Sequence, residues 1–343
     1  MEEIMKKIAV IGAGSWGTVL ASLLADNGHS VTLYGNHQEV LDEIINFHTN
    51  KRYLAATFKT NERIAVTIDL KAAVQGQDML LLVIPTKAIR SVGASIATIL
   101  AQNNAQPIIV SATKGIEPGS KKRVSQIIAE EIYPAQTDKI AIISGPSHAE
   151  GVAQKDLTAL SVASESTAVA ELVQETFSND YLRLYTTNDV IGVEVGGATK
   201  NVIALGAGLL YGKGFGDNAK AALMTRGLAE MTRLGVRLGA QPLTFSGLSG
   251  IGDLIVTCTS TNSRNWRAGR ELAKGKGLEQ TLSDMGMVVE GVLTAKALHE
   301  LSQELNLEMP ISAAIYRFLY EDSSVDAEIA RMMGRENKPE LEF

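Results

Sequence analysis

A chain of 343 residues can hold two domains, each burying its own core. Apolar residues make up 45% and charged residues 20%, as in an ordinary globular protein, and a net charge of −6 argues against a general nucleic-acid binder, which normally shows a basic face. The single cysteine, Cys258, excludes an intrachain disulfide and reads as a small packing residue. The charged start, Met1 to Lys7, does not read as a signal peptide. The longest apolar stretch, Val190 to Leu210, is broken by Glu194, Lys200 and Asn201, so no membrane span is expected and a cytoplasmic protein is the default.

In chain order, Ile8 to Ile11 reads as a buried strand stopped by glycine, and Ser15 to Asn27 as a helix closed by Gly28. Val31 to Tyr34 is a second strand and Glu39 to Phe47 a helix. Strands follow at Ile64 to Ile68, Met79 to Ile84, Ile108 to Ser111, Ile140 to Ser144 and Ala159 to Ala163, with a helix at Lys87 to Leu100. This alternation predicts a parallel sheet covered on both faces. Beyond about residue 190 the pattern turns helical. Val195, Val202, Leu205 and Leu209 keep helical spacing, and Ala219 to Leu238, Trp266 to Lys274, Val289 to Leu305 and Ile311 to Tyr320 read as helices. The polar tail, Gly334 to Phe343, is expected to fray. The expectation is an α/β Rossmann-like N-terminal domain over residues 1–190 and a mostly α-helical C-terminal domain over residues 191–343.

Gly12-Ala13-Gly14-Ser15-Trp16-Gly17 joins the first strand to the first helix. In such a G-x-G-x-x-G turn the first glycine makes the bend. The second lets backbone approach a pyrophosphate, and the third lets helix and strand pack closely. The helix start then offers amides and a positive dipole to phosphate. Many NAD enzymes place a carboxylate at the end of the second strand, but here Tyr34 is followed by Gly35, Asn36 and His37. Without a carboxylate nothing there repels a 2′-phosphate. NADP or NAD is therefore expected, with NADPH favoured.

In the second half, Lys200 stands on a helix with Gly196, Gly197, Ala204 and Ala207 on one side of it. A helix facing only water has no need of such small neighbours. Here another element or a ligand can approach the backbone while the lysine reaches into the gap. A lysine with a lowered pKa can protonate a carbonyl oxygen during hydride transfer, and a second cation such as Lys114 would help lower it. Ser263-Arg264-Asn265 precedes a helix, and helix-start amides plus a guanidinium make a phosphate cradle. No His/Cys/carboxylate group has metal-ligand spacing, so no metal is expected.

Several segments occur together in fixed order: Gly12 to Gly17, Ser111 to Glu117, Gly145-Pro146-Ser147-His148-Ala149, Gly192 to Ala204, Gly250 to Leu254, Asn262 to Asn265, and Val288-Val289-Glu290-Gly291. Through them the chain resembles the bacterial NAD(P)-dependent glycerol-3-phosphate dehydrogenases, from Lys7 to about Tyr320. The resemblance implies reduction of dihydroxyacetone phosphate to sn-glycerol 3-phosphate, supplying glycerophospholipid synthesis. It implies that Lys200 is the catalytic acid and base. Lys114, Gly145, Ser147, Asp253, Ser263, Arg264 and Asn265 would hold the substrate. Ser15, Trp16, Asn36, His37, Lys114, Ala149, Arg264, Val288 and Glu290 would join the glycines at the cofactor. Thr199 departs from the aliphatic residue usual beside the lysine, and Asn36 and His37 from the usual histidine or arginine. His148 is read as a structural or rim residue. The alternatives are a 3-hydroxyacid or phosphogluconate dehydrogenase, which should lack the Ser263-Arg264-Asn265 cradle, and a non-enzymatic NAD(P) sensor, which would not need Lys114, Lys200 and Asp253 together. The expected partner is a small molecule, with no nucleic acid; the helical half can support a homodimer.

Overall fold

The computed structural model of the chain describes residues 5–55, 57–134, 136–337 and 339–340. The first residues of the charged start and the last of the polar tail, 1–4 and 341–343, lie outside them. Strands β1 (Lys7–Ile11), β2 (Ser30–Tyr34), β3 (Ala65–Thr67), β4 (Met79–Leu82), β5 (Ile108–Ser111), β6 (Ile140–Ser144), β7 (Thr158–Ser164) and β8 (Leu182–Thr187) form one 8-stranded sheet in the order β3-β2-β1-β4-β5-β6-β7-β8. The helices of this half are α1 (Ser15–Asp26), α2 (Gln38–Phe47), α3 (Leu70–Val74), α4 (Ile89–Asn103), α5 (Val124–Glu131), α6 (Ala149–Ala153) and α7 (Thr167–Phe177). Ile8 and Val10 pack on one face of the sheet with α1 and α7. Ala9 and Ile11 pack on the other with α4 and α5. Burial on both faces is why the strands read as unbroken apolar runs.

Two features of the sheet go beyond the expected parallel arrangement. β7 runs antiparallel to β6, and β8, which the sequence reading does not identify, pairs parallel with β7. β8 sits at the sheet edge and buries only one face: Leu182 and Leu184 point in while Arg183 and Tyr185 point out. That alternation is weaker than the runs of the inner strands.

The second half comprises α8 (Val190–Gly212), α9 (Asp217–Arg237), α10 (Asp253–Thr259), α11 (Arg264–Ala273), α12 (Leu278–Met285), α13 (Glu290–Glu304), α14 (Pro310–Tyr320) and α15 (Val325–Met333). α8 is the axis of this half, buried without interruption from Gly192 to Leu209. It is long and apolar enough to cross a membrane, but it is buried inside the protein. Its small residues permit very close neighbours. A Cβ on Gly196 would lie 2.2 Å from the Ser249 carbonyl oxygen, and one on Gly208 would lie 2.0 Å from that of Trp266. From the α11 side, a Cβ on Gly269 would lie 2.1 Å from the Leu205 oxygen. Asp189 caps α8 by accepting from the Gly192 amide (2.9 Å), and its other oxygen accepts from the Gln241 amide (2.9 Å) and Thr244 Oγ1 (2.5 Å). Glu194 accepts from the Ser125 amide (2.7 Å), Ser125 Oγ (2.6 Å) and Arg123, which locks α8 to the start of α5. Both halves thus hold the lysine-bearing helix in place.

Candidate active site

Parallel pairing puts Ile11 level with both Tyr34 and Leu82, and Leu82 level with Ser111. The segments leaving these strand ends open together into a cleft of about 810 Å³, closed on the far side by α8, α11 and the segment before α13. Ligands of open α/β sheets bind at such carboxyl ends, where the strand order reverses between β1 and β4.

The three glycines of the turn meet three different needs. Gly12 has φ +124°, and a Cβ there would lie 2.4 Å from the Val83 oxygen. A Cβ on Gly17 would lie 1.8 Å from the Gly12 oxygen. A Cβ on Gly14 would meet nothing within 4 Å, so this position faces open cleft at the start of α1. The turn therefore fits a pyrophosphate held on helix-start amides. Ser15, Trp16, Asn36 and His37 line the same cleft, as do Ala149 and Val288 from other segments.

Opposite the glycines lies an ion triad. Asp253, at the start of α10 and wholly buried, accepts from Lys114 Nζ on Oδ2 (2.8 Å) and from Lys200 Nζ on Oδ1. Lys200 also donates to Thr257 Oγ1 (2.8 Å), and Lys114 to the Gly145 carbonyl (3.2 Å). Asp253 and Gly145 sit behind the cleft wall, while both lysines reach its surface. Burial pulls Lys200 down to about 7; the Asp253 carboxylate resists this and the Lys114 ammonium adds to it. Burial alone would raise Asp253, but the two ammoniums, Lys114 first, outweigh it and hold the carboxyl below its ordinary value. The site thus carries a lysine able to gain or lose a proton near neutral pH, beside a carboxylate that stays ionised. Ser147 lines the cleft next to this group, its hydroxyl 3.4 Å from the Gly145 oxygen.

At the other wall Ser263 caps α11, accepting from the Trp266 amide (3.3 Å). The amides of Arg264 and Asn265 have no acceptor among the described residues. Arg264 reaches across to Ser15 Oγ (3.3 Å) beside the glycine turn, and burial lowers its pKa. Asn265 turns its side chain to protein partners: Nδ2 donates to Asn201 Oδ1 and Oδ1 accepts from the Gly291 amide, both at 2.9 Å. Asn265 also lines the cleft, with one Nδ2 N–H not engaged by these bonds. Glu290, at the start of α13, accepts from the Thr86 amide (3.0 Å) and Thr86 Oγ1 (2.9 Å), bridging to the segment after β4. Burial raises its carboxyl above the ordinary range, against those two bonds.

His148 lines the cleft, but its Nε2 is 3.3 Å from the Val256 carbonyl of α10, and burial lowers its pKa. The Cys258 thiol is buried and pushed up to about 12. Thr199 is fully buried, and its hydroxyl has no partner among the described residues. The sequence reading overlooks Thr257, Asn201, Arg52 and Tyr53. Thr257 follows Asp253 by four residues on one helix, and Asn201 follows Lys200 within the Gly192 to Ala204 segment, so both left a signal. Arg52 and Tyr53 lie on a loop with no motif.

Two family models match nearly end to end: the N-terminus of NAD-dependent glycerol-3-phosphate dehydrogenase over residues 7–170, and its C-terminus over residues 189–330. The glycerol-3-phosphate dehydrogenase (NAD(P)+) of Lactobacillus helveticus is 60% identical over 338 residues, covering 98% of this chain and 99% of that one. The crystal structure of glycerol-3-phosphate dehydrogenase from Coxiella burnetii superposes with a TM-score of 0.90 at 35% identity, over 96% of this chain and 99% of that one. A ketopantoate reductase from Ralstonia eutropha, at 15% identity and a TM-score of 0.60 over 95% of this chain and 99% of its own, shares the fold alone. With the cleft, the glycine turn and the buried lysine in place, these matches make the chain a member of the NAD-dependent glycerol-3-phosphate dehydrogenase family, an oxidoreductase using NAD or NADP.

Proposed function

We propose that the chain reduces dihydroxyacetone phosphate to sn-glycerol 3-phosphate, with Lys200 as the acid and base. The observation that carries this is the triad of Lys200, Asp253 and Lys114 opening into the cleft. When bound, the nicotinamide cofactor supplies the hydride that reaches the ketone carbon. Lys200 Nζ gives its proton to the ketone oxygen as that oxygen takes up the electron pair of the C=O bond. Lys114 places a second positive charge beside the developing alkoxide, and Asp253 keeps both ammoniums in position. In the reverse direction neutral Lys200 takes the hydroxyl proton.

In this reading the phosphate of the substrate rests on the Arg264 guanidinium and the amides at the start of α11. Gly145 and Ser147 border the carbon chain. The glycine turn, Ser15, Trp16, Asn36, His37, Ala149, Val288 and Glu290 hold the cofactor, with Lys114 and Arg264 shared between the two ligands. The preferred cofactor is NADPH. Residues 1–190 form the dinucleotide-binding domain and 191–343 the substrate domain, and the product serves glycerophospholipid synthesis in the cytoplasm. Two copies pair through the helical half, which light scattering can check.

A rate screen of dihydroxyacetone phosphate against 3-hydroxyacids and phosphogluconate tests the substrate. Turnover confined to the phosphorylated triose fits. Faster turnover of a hydroxyacid would replace this assignment with the related dehydrogenase class.

A further inference from the structure

The loop between α2 and β3 carries residues that the reaction does not use. Asn50, 1% exposed, donates from Nδ2 to the Ala13 carbonyl (3.1 Å) and to Thr18 Oγ1 (2.9 Å), pinning the loop to the glycine turn and α1. Thr49 Oγ1 (2.6 Å) and the Lys51 amide (3.1 Å) donate to Glu43, pinning it to α2 as well. So fixed, the loop presents Arg52 and Tyr53 to the same cleft that Asn36 and His37 line. Arg52 Nη1 donates to Glu39 Oε1 (2.5 Å), and Arg52 Cζ lies 5.5 Å from the centre of the Tyr53 ring. Glu39 is the only acceptor of an Arg52 hydrogen bond among the described residues, so most of the five guanidinium N–H groups remain for a ligand.

We propose that Arg52, held by Glu39 at the cleft beside Asn36 and His37, recognises the 2′-phosphate that distinguishes NADP from NAD. The assignment rests on the cleft being the dinucleotide site. β2 ends at Tyr34, and the end of the second strand is where a Rossmann sheet meets the adenosine ribose. Asn36 and His37 lack a fixed charge, whereas Arg52 supplies one from a pinned loop. Its bond to Glu39 is a surface pair, with side chains 42% and 74% exposed, and such a pair exchanges readily for a better anion. A phosphate offers a guanidinium two parallel hydrogen bonds and more charge than a carboxylate. With NAD bound, Arg52 stays on Glu39 and cancels the carboxylate's charge. The exchangeable pair thereby accounts for tolerance of both cofactors.

The test is the dissociation constant of NADPH and of NADH, read by nicotinamide fluorescence on the full chain without substrate at low ionic strength. Arg52→Gln should weaken NADPH by about tenfold or more, the loss of one charge-assisted contact, and leave NADH within about twofold. Glu39→Gln frees the guanidinium and should tighten NADPH alone. Arg52→Lys should recover only part of the loss, because an ammonium lacks the planar fork. An unchanged NADPH-to-NADH ratio in Arg52→Gln, with NADH binding intact, overturns this assignment and moves discrimination to Asn36 or His37. Failure of the wild type to bind either cofactor overturns the dinucleotide reading of the cleft itself.

Discussion

Asp253→Asn tests the electrostatics of the triad: the amide keeps the shape of the carboxylate and removes its charge, while turning one of the two oxygens that accept from the lysines into an NH2 donor. Burial and Lys114 pull Lys200 down, Asp253 holds it up, and the balance rests at about 7. Unit charges about 4 Å apart at an effective dielectric of about 20 attract by about 4 kcal/mol, equivalent to about three pH units. Relaxation of the side chains and water at the cleft wall trim this to about one to three. Lys200 then loses its proton at lower pH, and its protonated fraction at pH 7 falls from about one half by about 5- to 500-fold. Since reduction consumes that proton, kcat for dihydroxyacetone phosphate should fall by a similar factor at neutral pH. The alkaline limb of the pH–rate profile should move to lower pH, so that much of the rate returns on acidification. The assay is kcat against pH in both proteins, with circular dichroism to confirm folding. A uniform loss at every pH, with the limb still at about 7, would refute the reasoning and leave Asp253 a purely geometric part.

Lys200→Ala should lower kcat by about 10²- to 10⁴-fold with cofactor affinity retained, and a near-normal kcat in the folded variant would remove the lysine from the chemistry. Arg264→Ala should raise KM for dihydroxyacetone phosphate by roughly 10²-fold, because two charge-assisted bonds to one phosphate are lost. Turnover of unphosphorylated dihydroxyacetone, expected to be poor, should change far less; equal damage to both substrates would assign Arg264 to the cofactor side, where it meets Ser15. Gly14→Ala should alter folding stability by no more than about 0.5 kcal/mol, yet weaken cofactor binding, since its Cβ would enter open cleft. Gly17→Ala should cost about 1–3 kcal/mol or more, because its Cβ would collide with the Gly12 carbonyl. Denaturant unfolding separates the two, and equal stabilities would contradict the packing argument.

The sequence makes legible those features that depend on local chemistry. The glycine turn announces its strand and helix because each glycine meets a separate steric demand. The small residues around Lys200 announce close neighbours, and Ser249 at Gly196 and Ser144 at Gly197 supply them. What stays hidden depends on pairing and on distant contact. The reversal at β7 leaves no trace, because a buried strand has the same composition in either direction. β8 shows only a half-buried alternation. That Asp253 bridges two lysines 53 and 139 residues away in sequence is a property of the folded chain, and nothing local separates it from a helix cap. Asn265 is legible from its motif as a cleft residue, whereas its bonds to Asn201 and Gly291 depend on the folded chain. Arg52 reaches the cleft from a loop that Asn50 pins to the glycine turn and that Thr49 and Lys51 pin to α2, contacts no local motif announces.

The most direct test of the account is steady-state reduction of dihydroxyacetone phosphate with NADPH and with NADH, measuring the cofactor oxidised against the sn-glycerol 3-phosphate formed. The account predicts one product molecule per cofactor oxidised, with kcat/KM for NADPH at least equal to that for NADH and little turnover of unphosphorylated dihydroxyacetone. No turnover with either cofactor, or a rate indifferent to the phosphate, would contradict it.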